Sequence, residues 1–160
     1  MRIRKAAIKD VAAIRAIYND AIAKTVATFD TEPKSLADRK KWLAAHDGYP
    51  VLVAVEDGKV VGFACLSRWS DRCAYSGTAE NSVYVAESAR GRGVGKALLA
   101  ELLEAGKKAK LHTVVARIAD GNEASVLLHE RFGFARIGVM REVGRKFGRL
   151  LDVVMMQRML

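Results

Sequence analysis

Arg90-Gly91-Arg92-Gly93-Val94-Gly95-Lys96 stands between a strand-like run, Asn81-Ser82-Val83-Tyr84-Val85, and a long amphipathic pattern from Val94 to about Ala109. Glycines at such a strand-to-helix turn let the backbone curl tightly, because they lack the Cβ that would clash. The first N–H groups of the helix then point outward, where the helix dipole places partial positive charge. A terminus of this kind binds phosphate, and Arg90, Arg92 and Lys96 add full charges beside it. Two familiar glycine loops do not fit. A P-loop needs Ser or Thr after its lysine, and Ala97 follows Lys96. A dinucleotide fingerprint needs a third glycine where Lys96 stands. An ordinary turn with solvated arginines is the alternative for the stretch taken alone.

Working outward, the chain alternates strand and helix patterns. Ile3 lies in a short opening strand; Asp10 is placed to cap a helix in which Val11, Ile14, Tyr18 and Ala21 recur at helical spacing. Ser35 caps a second helix, with Leu36, Trp42 and Leu43 as its inward face. Val51-Leu52-Val53-Ala54-Val55 reads as a buried strand, Glu56-Asp57-Gly58-Lys59 as a hairpin turn, and Val60 to about Trp69 as the returning strand. Thr78 to Ala86 and Thr113 to Ile118 are further strands. Asn122 caps a short helix that Gly133 ends. Phe134 to Arg141 and Leu150 to Gln157 form a closing pair around a loop carrying Gly144, Lys146 and Gly148. The order β-α-α-β-β-β-α-β-α-β-β makes a mixed α/β fold.

With 160 residues, half of them apolar and spread along the chain, one domain with a sizeable core is expected over residues 1–160. No apolar run is long enough to span a bilayer, and the charged start Met1-Arg2-Ile3-Arg4-Lys5 is unlike a signal peptide. A cytoplasmic location follows as the expectation. Cys65 and Cys73 form no C-x-x-C pair, and His46, His112 and His129 are scattered, so reduced thiols and a mechanism without metal are expected. The net charge of +9 suits either nucleic acid or a polyanionic small molecule. The basic residues are dispersed, without a recognition-helix pattern, and part of the excess is an ordinary solvated face.

The loop matches a third pattern, Q/R-x-x-G-x-G/A, through Arg90, Gly93 and Gly95. In this it resembles the GCN5-related N-acetyltransferase (GNAT) superfamily, whose pyrophosphate loop has that form. Asn122, Ala124, His129, Gly133 and Phe134 match a second segment of the superfamily. The whole chain is similar to one branch, the phosphinothricin and methionine sulfone/sulfoximine N-acetyltransferases. Thr28 to Pro33, Thr78 to Val85, Ser125 to His129, and Val143 to Arg149 with Asp152 carry that likeness. The resemblance implies a mixed, largely antiparallel sheet flanked by helices and acetyl-coenzyme A as cosubstrate. It also implies the α-amine of a small amino-acid analogue, namely phosphinothricin, methionine sulfoximine or methionine sulfone, as acceptor, and a homodimer, with neither nucleic acid nor membrane as partner.

Residue by residue, the resemblance implies that Glu80 is the general base that deprotonates the amine; the alternative is an edge-strand carboxylate in water. It implies that His129, where many relatives have tyrosine, protonates the departing thiolate; the alternative is a packed helix histidine. Backbone groups of Val83, Tyr84 and Val85 would meet the pantetheine arm and the oxyanion. Arg90, Gly91, Arg92, Gly93, Val94, Gly95 and Lys96 would hold the diphosphate, with Asn122 and Ser125 beside the same arm. Phe29, Arg72, Tyr75 and Gly77 would form the acceptor pocket, with Lys146 and Phe147 reaching in from a neighbouring subunit. Two positions depart from the branch: Ser76 where some relatives have arginine, and Asn81 where His or Ser often follows the glutamate. A carboxylate-bearing acceptor calls for an arginine, and Arg72 is the expected one. The competing readings are acetylation of another small amine or a protein N-terminus, and a non-catalytic basic module that binds nucleic acid.

Overall fold

A computed structural model describes residues 1–160. One seven-stranded sheet, in the order β1-β2-β3-β4-β5-β7-β6, organises the chain. Its strands are β1 (Arg2–Lys5), β2 (Val51–Glu56), β3 (Lys59–Arg68), β4 (Thr78–Val85), β5 (Thr113–Ala119), β6 (Ala135–Lys146) and β7 (Arg149–Met159). The helices are α1 (Val11–Lys24), α2 (Leu36–Ala44), α3 (Val94–Lys108) and α4 (Glu123–Arg131). Every neighbouring pair is antiparallel except β4–β5. The expected mixed, largely antiparallel sheet flanked by helices is what forms.

Two apolar layers sandwich the sheet. On one face Leu98, Leu99, Leu102 and Leu103 of α3 and Val126 of α4 pack on Leu52, Ala54, Ala64, Leu66, Ala79, Val114, Ala116 and Ile118. On the other, Ile14 of α1 meets Val53 and Phe63, with Tyr18, Trp42 and Tyr84 around them. Because β2 is covered on both faces, its sequence is continuously apolar rather than alternating. The β2–β3 hairpin turns at Asp57 (φ 48°) and Gly58 (φ 77°), the left-handed pair that the Asp-Gly dipeptide favours.

Three local expectations are corrected. Asp10 does not cap α1. Its carboxylate accepts the Ala7 N–H at 2.8 Å and pairs with both Arg4 nitrogens at 2.7 and 2.8 Å, so it closes the turn before the helix. Leu36 is exposed, and beside the inward Trp42 the buried residue of α2 is Arg39, whose guanidinium lies 4.8 Å from the Tyr18 ring centre and 5.0 Å from that of Trp42. Gly144 and Lys146 belong to β6 rather than to a loop, because the connection is a tight turn at Phe147 and Gly148, both with positive φ. No helix is long and apolar enough to cross a membrane.

Candidate active site

The parallel pairing of β4 with β5 runs only through Thr78↔Thr113, Ala79↔Val114 and Glu80↔Val115. Beyond Glu80 the strands part, while β4 stays paired with β3 through Val85 and β5 stays paired with β7 through Ala119. A wedge opens between two rigid strands, and no strand pairs with the inner edge of β4 along Asn81–Val85. A cavity of about 440 Å³ occupies it, lined by Glu80 to Tyr84, Ala116 to Ala119, Asn122, Ser125 and His129, and by Val26 to Phe29 above.

At the mouth of the wedge, Gly93 takes φ 81° and begins α3 with no side-chain cap. The backbone N–H groups of Gly91 to Lys96 make no hydrogen bond within the protein. They are a cluster of unused donors at a positive helix end, which suits a diphosphate. Gly95 faces Val83, Val85 and Leu128 at ordinary contact distances for an added methyl, which explains why the pattern tolerates alanine there. Of the cationic side chains, Arg92 is held by Glu56 at 2.6 Å and Arg90 leans on the Val85 carbonyl at 3.3 Å. Lys96 is exposed. The helix tip and the unpaired edge of β4 are continuous, and together they fit a long phosphorylated arm lying along the wedge.

Glu80 lies where the strands part. Arg117 of β5 closes on it, donating from Nε to Oε1 and from Nη2 to Oε2, both at 2.6 Å. That contact holds the guanidinium above its ordinary pKa, with burial opposing. The glutamate side chain is 20% exposed and that of the arginine 50%. Arg117 is the residue that sequence reading missed. Its signal was available: one charge inside Thr113-Val114-Val115-Ala116-Arg117-Ile118-Ala119, a run otherwise nearly all apolar.

Across the wedge, His129 is 4% exposed. Its Nδ1 lies 2.7 Å from the Ser125 carbonyl, which can only accept, so the proton sits on Nδ1. Its Nε2, 2.8 Å from the Asn81 amide, then accepts from Asn81 Nδ2. Burial lowers the His129 pKa, with the Ser125 carbonyl opposing, so the ring is neutral near pH 7. The expected proton donor thus rests with both ring nitrogens engaged by the protein. In this resting state Nε2 carries no proton, and its evident effect is to hold Asn81. Asn81 Oδ1 is left buried without a partner at the cavity wall.

Above the cavity, the segment from Thr25 to Asp30 is fastened at several points. Tyr18 donates to Asp30 at 2.6 Å and lies 2.9 Å from the Thr28 hydroxyl; burial, then Asp30, pushes its pKa up to about 12. Lys146 donates to the carbonyls of Thr25 and Thr28 at 2.8 and 2.7 Å. It is buried within its own chain, which corrects the expectation that it reaches into a neighbour; burial lowers its pKa. The Phe29 ring lies flush on Gly144, so any side chain there would collide with it. Phe29 lines the cavity as expected, but Arg72, Tyr75 and Gly77 do not. Arg72 and Tyr75 are exposed around a short turn, Cys73–Tyr75. The Gly77 carbonyl is taken by the amides of His112 and Thr113. Phe147 sits at the exposed tip of the β6–β7 hairpin.

Comparison with known proteins agrees with this geometry. Residues 14–134 match the model of the Acetyltransferase (GNAT) family. The chain is 45% identical to the L-methionine sulfoximine/L-methionine sulfone acetyltransferase of Pseudomonas aeruginosa over 97% of its own length and 92% of the relative's. It is 42% identical to the phosphinothricin N-acetyltransferase of Streptomyces coelicolor, covering 99% and 95%. Among solved structures, a phosphinothricin acetyltransferase from Sinorhizobium meliloti in complex with acetyl-CoA superposes with a TM-score of 0.96 at 35% identity, covering 99% of this chain and 88% of that one. An uncapped glycine-started helix, a wedge opened beside it and relatives of matching length all point one way: this chain belongs to the GNAT acetyltransferase family and is an acetyl-CoA-dependent N-acetyltransferase.

Proposed function

We propose that the protein transfers acetyl from acetyl-CoA to the α-amine of a small amino-acid analogue, with phosphinothricin, methionine sulfoximine and methionine sulfone as the acceptors, and with Glu80 as the general base. The observation that carries this reading is the cavity where β4 leaves β5, with Glu80 in its wall and Val26 to Phe29 lining it. The names of the relatives support the same substrate class.

Acetyl-CoA, when bound, supplies a thioester whose carbonyl an amine can attack. The amides of Gly91 to Lys96, with Arg90 and Lys96, hold its diphosphate; Val83 to Val85, Asn122 and Ser125 meet the arm. Glu80 takes a proton from the acceptor ammonium, the freed amine forms the new C–N bond, and the C–S bond breaks. The departing thiolate takes up one proton of the two the nitrogen loses, and the other passes to water. A backbone N–H between Val83 and Val85 stabilises the oxyanion. His129 acts as a positioning residue by holding Asn81 against the cavity.

One acetyltransferase domain, a cytoplasmic location and a homodimer complete the proposal, and neither nucleic acid nor a membrane is a partner in it. The test is a thiol-release assay with acetyl-CoA across amino-acid analogues, simple amines and peptide N-termini. Methionine sulfoximine, methionine sulfone or phosphinothricin should give the highest kcat/KM. No release above background with any of the three would overturn the reading.

A further inference from the structure

The cavity lining contains two charged side chains, Glu80 and Arg117, and each occupies the other. Both glutamate oxygens are engaged by one guanidinium. To take a proton from an ammonium, the carboxylate has to give up part of that contact. Arg117 is free to yield it: its side chain is half exposed, and its guanidinium carbon already lies 5.7 Å from the Trp69 ring centre, a surface on which the plane can rest. Within this chain, no other cation beside the cavity is free for an incoming anion. Lys146 is spent on two backbone carbonyls, Arg39 is sandwiched between Tyr18 and Trp42, and Arg72 lies outside the lining.

We propose that Arg117 is the anchor for the acceptor's carboxylate, and that in taking it the guanidinium releases Glu80, so that an α-amino acid unmasks the base that deprotonates it. This rests on the acceptor class proposed above. The physical case is an exchange of ion pairs. An incoming zwitterion brings one carboxylate and one ammonium. The carboxylate offers Arg117 the same two-oxygen fork that Glu80 offers, and the ammonium offers Glu80 a replacement cation. The net charge of the cavity is unchanged, and both pairs stay satisfied in a half-buried site where an unpaired charge is costly. A plain amine performs only half of the exchange. It meets a Glu80 still clamped, beside a guanidinium that repels it.

The experiment compares methionine sulfoximine with the same molecule carrying hydrogen in place of its carboxylate, using wild type, Arg117→Met and Arg117→Lys in the thiol-release assay. Wild type should strongly favour the amino acid. Arg117→Met should cut that preference by about tenfold to a hundredfold, the range expected for hydrogen bonds to a charged group, chiefly through the KM of the amino acid. Arg117→Lys should restore part of it. Titration with acetyl-CoA checks that each variant still binds the cosubstrate and is therefore folded. An unchanged preference in Arg117→Met overturns the proposal, as does an equal loss for both acceptors with both KM values unmoved. If wild type binds acetyl-CoA but acetylates neither compound, the acceptor class itself is wrong and this inference falls with it.

Discussion

The tip of α3 is one contiguous piece of chain, whereas the cavity a strand away draws on α1, β3, β4, β5, α4, β6, β7 and the segment after α1. The tip works through backbone: what matters is that Gly93 can hold φ 81° and that the amides of Gly91 to Lys96 stay free. The cavity works through side chains brought from distant sequence, such as Glu80 with Arg117 and Asn81 with His129. A site made of consecutive amides tolerates changes of side chain but not of backbone conformation. A site made of convergent side chains has the opposite sensitivity.

Breaking the cavity should have the largest effect. Glu80→Gln is expected to lower kcat by roughly a hundredfold to ten-thousandfold, the usual worth of a positioned base, while leaving the Kd for acetyl-CoA near that of wild type. Steady-state kinetics beside a calorimetric titration separates the two quantities. Unchanged turnover at neutral pH would remove Glu80 from the base role.

Breaking the tip should do the reverse at smaller scale. Gly93→Val forces a β-branched residue into the left-handed region, a strain of order 1–3 kcal/mol. The Kd for acetyl-CoA should rise about tenfold to a hundredfold as the amides turn away, with turnover at saturation largely kept. A variant with unaltered Kd would mean that the diphosphate is held by side chains instead.

The smallest effect concerns pH and sharpens the reading of His129. Burial lowers the pKa of both His129 and His46. Above about pH 6.5 each is neutral in the folded and unfolded chains and contributes no slope. Below it the unfolded chain takes up protons that the folded chain resists, so stability falls as pH drops, by at most about 1.4 kcal/mol per pH unit for each ring. Urea unfolding between about pH 7.5 and about pH 5.5 should show this decline. His129→Gln should flatten part of it and leave the share due to His46. An unaltered slope would mean that His129 is readily protonated in the fold, which would restore it as a possible acid.

These contrasts also mark what sequence could reveal. The hairpin at Asp57-Gly58, the caps at Ser35 and Asn122, and the stop at Gly133 are local devices, and each forms where its residues announce it. The resemblance makes Lys146 a substrate contact from a neighbouring subunit; the fold spends it as a strut beneath Thr25 and Thr28. Arg72 was the expected anion partner by position. It lies outside the cavity because the Cys73–Tyr75 turn leaves it in solvent, while the register of β4 on β5 brings Arg117 to Glu80.

The amino-acid sequence alone determined the order of elements and the glycine-started helix, because these depend on periodicity, φ preference and spacing within a few residues; the resemblance to the family rested on its motifs. Only the tertiary structure decided which charge faces Glu80, which nitrogen of His129 carries the proton and which residues line the cavity between β4 and β5. Those outcomes turn on where two strands stop pairing, and they join residues tens of positions apart that nothing in the linear chain puts side by side.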